Sequence, residues 1–305
     1  MEVDLVDEEA PGSADGPVAF VLSGGGSMGA VQVGMLQALY HREITPDLLV
    51  TTSVGALNGA FVASRAQTVD TADELAGIWA RLRTRDVFPP RPVTALLALF
   101  GHRNHITSLR GLRELVRRWV EFASLEGARI PLSTIATDVL TGEETRLSTG
   151  PAESAVVASA AIPGVFPPVE HGGGVFIDGG VTNNTPISQA IELGARTVCV
   201  LPSGYACSLD DRPGSAVAMA AHAITLLIQQ QLIADIARVP DDIRLLVLPP
   251  LCPLSVSPVD FSRSAELIER GRESSGRFLD SLPPGTRHAV PEDMRRMAHA
   301  HAFAR

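Results

Sequence analysis

Ser53 lies where a short apolar run ends and a second apolar segment begins. The run Leu48-Leu49-Val50 is typical of a buried strand, and a helix pattern follows it. A sharp turn from strand to helix exposes a serine hydroxyl beside unpaired N–H groups, which favour the negative charge that develops when serine attacks a carbonyl carbon. Of the usual Gly-x-Ser-x-Gly pattern, Gly55 is present, whereas Thr51 replaces the first glycine. The stretch therefore predicts either a serine nucleophile or a plain helix N-cap.

A glycine-rich segment follows the first predicted strand, residues 18–22. It reads Ser23-Gly24-Gly25-Gly26-Ser27-Met28-Gly29 and leads into a helix pattern over residues 30–40. Backbone N–H groups in such a turn can stabilise the oxyanion of acyl transfer or bind the phosphates of a nucleotide. The spacing of its glycines also fits the dinucleotide fingerprint, with Asp47 about where a ribose-binding acid is expected. An oxyanion loop and a Rossmann-type cofactor site therefore remain as alternatives.

The motif Asp178-Gly179-Gly180 favours the oxyanion loop. It follows a predicted strand at residues 175–177, so the carboxylate is expected at the same edge of the sheet as Ser53 and the glycine-rich segment. Partial desolvation there raises the affinity of a carboxylate for a proton, as a general base acting on serine requires. Alone, the motif is also an ordinary Asp-Gly turn. Three loop sites at one edge of a sheet indicate a shared chemistry.

Short apolar runs alternate with helical patterns along most of the chain. Such alternation is typical of parallel strands connected by helices, and it predicts a three-layer α/β/α sandwich with a mostly parallel central sheet. The remaining strands are predicted at residues 47–50, 131–139, 143–147, 197–201 and 244–248. The remaining helices are predicted at residues 54–65, 71–82, 109–122, 152–161, 186–193, 215–239, 262–282 and 291–303.

Two apolar segments need separate treatment. Residues 216–228 are interrupted by His222 and followed by three glutamines, and they are shorter than the roughly 20 residues of a membrane span, so they predict a buried helix. Residues 93–106 follow a proline-rich break and bring Leu96, Leu97 and Phe100 close together. This second segment is either part of the core or a lid or lipid-facing element.

The three motifs together resemble the patatin-like phospholipase family. The resemblance extends through residues 158–168 and the step Asn184-Thr185-Pro186, and so covers residues 18–201. It implies a lipid acyl hydrolase that uses a Ser-Asp dyad without histidine or cofactor. By resemblance, Ser53 is the nucleophile, and Asp178 activates it and later the deacylating water. The resemblance also assigns the oxyanion hole to Gly24, Gly25, Gly26, Ser27, Met28 and Gly29, the elbow to Thr51 and Gly55, and the base motif to Gly179 and Gly180.

Two departures from the family pattern keep other functions open. Thr51 replaces the first elbow glycine, and Met28 stands where many relatives carry Arg or Lys. The alternatives are a thioesterase or general carboxylesterase with the same dyad, and a non-hydrolytic protein that binds a nucleotide or acyl-CoA through the glycine-rich loop. His171 precedes the Asp178 strand, but its glycine-rich surroundings predict an exposed loop rather than a catalytic residue.

The composition limits the class of protein. The chain has 305 residues, of which 45% are hydrophobic and 19% charged, as in a compact soluble protein. A net charge of −9 without a basic stripe argues against nucleic-acid binding. The three cysteines, Cys199, Cys207 and Cys252, have no C-x-x-C spacing, so neither a disulfide framework nor a metal site is expected, and a reducing compartment fits best.

These observations predict the organisation of the chain and its partners. Residues 1–17 are expected to form an acidic, disordered tail that lacks the pattern of a signal peptide. Residues 18–285 form the predicted hydrolase domain, and residues 286–305 a helical extension. We expect a cytoplasmic protein with peripheral membrane contact, whose partners are a lipid or acyl-ester substrate and, transiently, a membrane or micelle surface.

Overall fold

The computed structural model describes residues 16–204, 212–252, 257–292 and 294. Within them, nine strands form one sheet in the order β5-β6-β3-β2-β1-β7-β8-β9, with β4 also paired to β3. The strands are β1 (Val18–Leu22), β2 (Leu48–Thr52), β3 (Leu132–Asp138), β4 (Glu144–Leu147), β5 (Val169–His171), β6 (Gly174–Asp178), β7 (Thr197–Leu201), β8 (Arg244–Val247) and β9 (His288–Ala289). Strands β3-β2-β1-β7-β8-β9 are parallel. Strands β4 and β6 pair antiparallel with β3, and β5 pairs antiparallel with β6.

Helices cover both faces of the sheet. The helices are α1 (Gly29–Tyr40), α2 (Val54–Ala63), α3 (Val69–Trp79), α4 (Thr84–Val87), α5 (Pro92–Leu99), α6 (Arg110–Trp119), α7 (Ala152–Ser159), α8 (Ile187–Glu192), α9 (Ala216–Ile236) and α10 (Ser264–Asp280). One core cluster contains residues of α1, α2, α3, α6, α7 and α10, and the other contains residues of α8 and α9. The predicted three-layer α/β/α sandwich with a mostly parallel sheet is therefore confirmed.

The central strands show why the sequence predicted this arrangement. Phe20 and Leu22 of β1 pack in one core cluster, whereas Ala19 and Val21 pack in the other. Because successive side chains of a strand point to opposite faces, a strand covered on both sides needs apolar residues at every position. A continuous apolar run is thus the pattern of a central strand here.

Helix α9 differs from its prediction as a buried helix. Met219, Ile224 and Leu227 are 50%, 58% and 70% exposed, and burial against the sheet begins only near Leu232 and Ile233. Residues 216–228 are about 20 Å of helix and are mostly exposed in the part of the chain that the structure describes. Among the described helices, none combines the length and the apolar character needed to cross a bilayer.

Residues 93–106 also lie outside the core. Val93, Leu96 and Phe100 are 70%, 56% and 68% exposed, so the interpretation of this segment as core is wrong. Two hydrogen bonds hold the ends of this segment. The Thr107 hydroxyl donates to the Pro89 carbonyl at 2.6 Å, and the Ile106 N–H donates to the Gly164 carbonyl at 3.1 Å. The segment is therefore anchored at both ends and exposed between them.

The end of the chain and the cysteines add two differences. The segment predicted as a helical extension contributes strand β9, while its predicted helix lies almost wholly outside the described residues. Cys199 is a buried free thiol in β7, but Cys252 is disulfide-bonded, so the expectation of no disulfide is wrong for that residue. A reducing compartment therefore loses the support that it drew from the cysteines. Of the predicted tail, only residues 16 and 17 are described.

Candidate active site

Ser53 occupies the turn between β2 and α2 in a backbone conformation that few residues other than glycine adopt. Its φ is 56° and its ψ is −122°. Such strain persists where surrounding contacts fix the backbone, and here the Ser53 N–H donates to the buried Ser159 hydroxyl at 3.0 Å. A Cβ on Gly55 would lie 2.2 Å from the Leu22 carbonyl oxygen, so only glycine permits this approach of α2 to β1. The turn from β2 to α2 thus has the strained backbone and close approach that a nucleophile elbow requires.

Thr51 is accommodated in the elbow without a first glycine. Its hydroxyl donates to the Ser133 carbonyl on β3 at 3.1 Å, and its side chain is fully buried. A Cβ on Gly59 would lie 2.6 Å from the Thr51 methyl carbon, so the glycine one turn into α2 provides the space that threonine needs. The departure at position 51 thus does not open the turn.

Asp178 is the direct hydrogen-bond partner of Ser53. The Ser53 Oγ donates to Asp178 Oδ2 at 2.6 Å, and the Gly180 N–H donates to Asp178 Oδ1 at 2.7 Å. Burial raises the pKa of the Asp178 carboxyl to about 6, although both hydrogen bonds oppose the rise. The carboxyl is therefore ionised near neutral pH and still basic enough to take a proton from a hydroxyl in a reaction.

The route by which Asp178 reaches Ser53 differs from the predicted one. Strand β6 is antiparallel to β3, so Asp178 does not end a parallel strand. β3 extends three residues beyond its last pair with β2, which joins Ile135 to Thr52. β6 returns along this extension and ends at Asp178, opposite Ala136. The Asp178 carboxylate therefore lies at the carboxyl edge of the sheet, where β1, β2 and β7 end. The strand that carries it, β6, runs in the opposite direction to those three strands.

The glycine-rich loop lies against Ser53. A Cβ on Gly24 would lie 3.0 Å from the Ser53 Cβ. The N–H groups of Gly24, Ser27, Met28 and Gly29 donate to backbone carbonyls. Within the described residues, those of Gly25 and Gly26 have no acceptor, and Gly26 lines the same cavity as Ser53. These two N–H groups are therefore the available donors for an oxyanion.

The Met28 side chain does not occupy the position of a charged residue at the oxyanion. Its sulfur and terminal methyl lie about 3.0 Å from where a Cβ on Gly204 would stand, and the methyl also lies near Gly25. Met28 thus covers the outer side of the loop. Any negative charge at Ser53 is left to the backbone N–H groups and to the amino terminus of α2.

A buried amide network holds the loop, the elbow helix and α3 together. Asn58 Nδ2 donates to the Gly29 carbonyl and to Gln32 Oε1, both at 3.0 Å. Trp79 Nε1 donates to Asn58 Oδ1 at 2.9 Å, and Gln32 Nε2 donates to the Ser23 carbonyl at 2.8 Å. Sequence reasoning gave these residues no role. The available signal was Gln32, one of two glutamines within the mostly apolar helix α1.

An apolar cavity adjoins Ser53. Its volume is only about 30 Å³. Apart from Ser53 and Gly26, every lining residue is apolar or aromatic. Phe88 stacks on Phe166 at 5.4 Å and Trp79 on Phe261 at 5.7 Å between ring centroids, which makes the cavity narrow. Its lining comprises Gly26, Ser53, Val54, Leu57, Trp79, Leu82, Val87, Phe88, Leu112, Leu115, Trp119, Ala160, Ile162, Phe166 and Phe261.

Two other sequence candidates lie away from this chemistry. Asp47 Oδ2 accepts the Val18 N–H at 2.7 Å, at the amino ends of β1 and β2. The glycine-rich loop follows the carboxyl end of β1, so Asp47 is at the opposite edge and cannot bind a ribose there. His171 is buried rather than exposed, and its ring nitrogens contact the Ser154 hydroxyl and the Thr149 carbonyl. His171 therefore has a structural role.

Comparison with known proteins identifies the family. A profile described as Patatin-like phospholipase matches residues 20–191, more than half of the chain. This chain therefore belongs to the patatin-like phospholipase family, as its motifs predicted.

Relatives share this region and differ widely in length. An uncharacterized NTE family protein of Mycobacterium tuberculosis is 32% identical over 177 residues, which are 58% of this chain and 46% of that protein. Patatin-like phospholipase domain-containing protein 7 of Mus musculus is 30% identical over 193 residues, 61% of this chain and 14% of that protein. Lysophospholipase NTE1 of Mycosarcoma maydis is 27% identical over 201 residues, 64% of this chain and 10% of that protein. The match thus spans less than half the length of each of these relatives.

Two solved structures resemble this chain in backbone structure at low sequence identity. VipD from Legionella pneumophila has a TM-score of 0.46 and 17% identity, covering 94% of this chain and 74% of that chain. Human GIVD cytosolic phospholipase A2 has a TM-score of 0.47 and 13% identity, covering all of this chain and 61% of that chain. Because both scores are below 0.5, the fold assignment rests on the topology of this chain.

Proposed function

We propose that this protein hydrolyses acyl esters of lipids through an acyl-enzyme on Ser53. The observation that carries the proposal is the 2.6 Å hydrogen bond from the Ser53 hydroxyl to Asp178, next to an apolar cavity of acyl-chain character. Family membership and the names of the relatives, a phospholipase domain-containing protein and a lysophospholipase, support lipid esters as the substrate class.

In the proposed acylation step, Asp178 acts as general base. Its carboxylate accepts the proton of the Ser53 hydroxyl as Oγ bonds to the ester carbonyl carbon, and the carbonyl oxygen becomes an oxyanion. The free N–H groups of Gly25 and Gly26 donate to that oxyanion. When the tetrahedral intermediate collapses, the ester C–O bond breaks and the leaving alcohol takes the proton from Asp178.

Deacylation repeats the same proton transfers with water as the nucleophile. Asp178 accepts a proton from the water as its oxygen bonds to the acyl carbon. The bond to Ser53 then breaks, and the Ser53 oxygen recovers the proton from Asp178, which leaves a free fatty acid. The carboxylate thus returns to its initial state without a histidine, consistent with a pKa near 6.

Labelling by an alkyl fluorophosphonate tests the nucleophile. We expect stoichiometric labelling of Ser53 in wild type, none in Ser53→Ala, and undiminished labelling in Ser64→Ala, a matched change at a buried serine that bonds to the Ala60 carbonyl. A chain-length series of p-nitrophenyl esters should show turnover that increases from acetate to longer chains as the apolar cavity fills. Labelling that persists in Ser53→Ala would refute the proposal, and a preference for acyl thioesters over oxygen esters would favour the thioesterase alternative.

We further propose that the carboxyl edge contacts a membrane or micelle surface. Apart from Leu193, the described exposed large apolar side chains lie in residues 93–106, in residues 216–228 or after the carboxyl ends of β3, β6 and β8. Gln231 of α9 donates to the Thr182 carbonyl close after Asp178, so the exposed part of α9 extends beyond this edge. Residues 216–234 carry no charged side chain. A lipid surface would cover apolar area that no described element covers.

Flotation with phosphatidylcholine vesicles tests the contact. Two double variants are compared with wild type: Leu96→Gln with Phe100→Gln, and Ile224→Gln with Leu227→Gln. We expect each to lower the partition constant for vesicle binding about tenfold or more, because burying each such side chain is worth roughly 1.5–3 kcal/mol. Leu193→Gln is the matched control, since Leu193 lies near the amino end of β7. Equal losses in the control and the two pairs would contradict the proposed orientation.

A further inference from the structure

A second cavity lies on the outer side of the wall that closes the apolar cavity. Its volume is about 400 Å³, and it is called the basic groove here because Arg81, Arg85, Arg110 and Arg118 line it. Leu82, Leu115 and Trp119 line both cavities. The basic groove therefore shares a wall, one side chain thick, with the cavity next to Ser53.

Three of these arginines have no side-chain partner among the described residues. Arg118 pairs with Glu114 at 2.7 Å, and the Asp86 carboxylate accepts the Arg83 N–H at 2.9 Å. In contrast, no hydrogen bond or ion pair involves the side chains of Arg81, Arg85 or Arg110 in the part of the chain that the structure describes. The groove thus gathers four guanidinium groups and two carboxylates, in a chain whose net charge is −9.

The chemistry of the rim suits an anion. A guanidinium group presents planar pairs of N–H donors that match the oxygen atoms of a carboxylate or a phosphate. Other arginines on this molecule, including Arg42 with Asp280 and Arg117 with Glu153, already bind carboxylates in this way. Three unpaired guanidinium groups around one cavity leave their donors to solvent, so an anion that enters gains several charge-assisted hydrogen bonds.

The floor of the groove suits an alkyl chain. Ile78, Leu82, Leu115 and Trp119 line the groove together with the arginines, so a bound molecule would meet apolar side chains there as well as charged ones. A small hydrated anion would leave these apolar side chains wet, whereas an amphiphile with an anionic head group covers them and meets the arginines at once. The combination of a basic rim and an apolar floor therefore distinguishes this groove from a simple phosphate site.

We propose that the basic groove binds a single-chain amphiphile with an anionic head group, a carboxylate or a phosphate monoester. The head group contacts Arg81, Arg85 and Arg110, and the chain lies against the shared wall. The site is separate from the apolar cavity and does not depend on chemistry at Ser53. A bound chain at the wall would also support Leu115 and Trp119 from outside, where they line the cavity next to Ser53.

Isothermal titration with dodecyl phosphate below its micelle concentration tests the site. We expect one bound molecule per chain and a loss of affinity of at least about 30-fold in Arg85→Gln with Arg110→Gln, because each charge-assisted contact at an exposed site contributes up to roughly tenfold. Arg129→Gln is the matched control, an exposed arginine whose side chain has no partner among the described residues. All three substituted residues are exposed, so an unchanged melting temperature is expected and confirms that each variant folds as wild type does.

Further ligands and one pocket variant separate the possible sources of binding. Dodecanoate should bind within about tenfold of dodecyl phosphate, inorganic phosphate much more weakly, and neutral dodecanol without sensitivity to the arginine substitutions. Ala160→Leu narrows only the cavity next to Ser53 and should leave dodecyl phosphate affinity unchanged. Binding that survives in the double arginine variant, or that Ala160→Leu abolishes while the arginine variants retain it, would overturn the proposal. Binding of inorganic phosphate as tight as dodecyl phosphate would overturn the role of the chain.

Discussion

The region around Ser53 buries polar side chains, whereas α5 and the first half of α9 expose apolar ones. Around Ser53, side chains of Asn58, Gln32, Trp79 and Asp178 are buried, and hydrogen bonds link them to their neighbours. In residues 93–100 and 216–228, apolar side chains face solvent. Buried polar groups are tolerated because each finds a partner, whereas exposed apolar groups need no partner for the chain to fold.

This difference separates stability from interaction. Changing a buried polar group in the centre alters the partners or the desolvation of its neighbours, so stability as well as chemistry should change. Changing a side chain on the exposed ends removes little that the folded monomer uses, so only an interaction with another surface should suffer. The following measurements test this contrast between the two regions.

The largest effect is expected from Asp178→Asn. The asparagine can still accept the Gly180 N–H and donate to Ser53 Oγ, so the geometry is kept while the base is lost. General bases contribute roughly 100-fold to 10,000-fold, so kcat for p-nitrophenyl butyrate should fall by about 1,000-fold. Asp138→Asn is the control, because this carboxylate only caps the exposed β3–β4 turn. Turnover near wild type in Asp178→Asn would remove the carboxylate from the mechanism.

The free energy of unfolding should depend on pH because Asp178 is buried, and its ionisation should destabilise the folded protein. Burial raises the pKa of Asp178 from 3.8 to about 6, so the folded protein favours the protonated carboxyl. The stabilising contribution is complete below pH 4 and is lost as the pH rises through 6, which amounts to about 3 kcal/mol at pH 8. In urea unfolding, Asp178→Asn should therefore be more stable than wild type at pH 8 by up to about 3 kcal/mol, with the difference shrinking toward pH 4.

Two observations bear on that prediction. kcat/KM of wild type should rise with pH and reach half of its plateau near pH 6, because the base must be ionised in the free enzyme. A variant that is less stable than wild type at every pH would instead mean that the ionised carboxylate stabilises the elbow more than its desolvation costs.

A loss of stability of similar size to that gain is expected from Asn58→Leu. The substitution removes three hydrogen bonds and leaves Trp79 Nε1 and Gln32 Oε1 without the partner that each has in the described structure. Because each unsatisfied buried group costs roughly 1–3 kcal/mol, the free energy of unfolding should fall by about 3 kcal/mol. Asn104→Leu, at an exposed residue that bonds only to His105, should change it by less than about 0.5 kcal/mol. Equal effects of the two substitutions would contradict the assigned role of the network.

The smallest effect on folding is expected from Leu227→Gln. The side chain is 70% exposed among the described residues, so its loss removes little buried area. Urea unfolding in the absence of lipid should change by less than about 0.5 kcal/mol, and turnover of p-nitrophenyl butyrate should stay within about twofold of wild type. A large destabilisation would mean that α9 is covered in solution, for example by a second copy of the chain.

The order of elements and the family follow from local sequence. The predicted strand over residues 18–22 is found as β1, because a strand covered on both faces requires an unbroken apolar run. The glycine-rich loop, the Ser53 turn and the Asp178 motif were recognisable because each depends on a backbone geometry that few residue types permit. The predicted exposure of His171 was wrong because its environment comes from Ser154 and Thr149, which no local pattern announces.

Local sequence was enough to identify most strands and helices and the three motifs that could act together, because periodicity and turn chemistry are properties of neighbours along the chain. The antiparallel direction of β6, which brings Asp178 to Ser53 against the direction of β2, became visible in the folded structure alone. The structure also showed that α9 extends beyond the sheet, and that Asn58 of α2 donates a hydrogen bond to Gln32 of α1. These outcomes depend on contacts between residues far apart in sequence, and burial is a property of what covers a segment rather than of the segment itself.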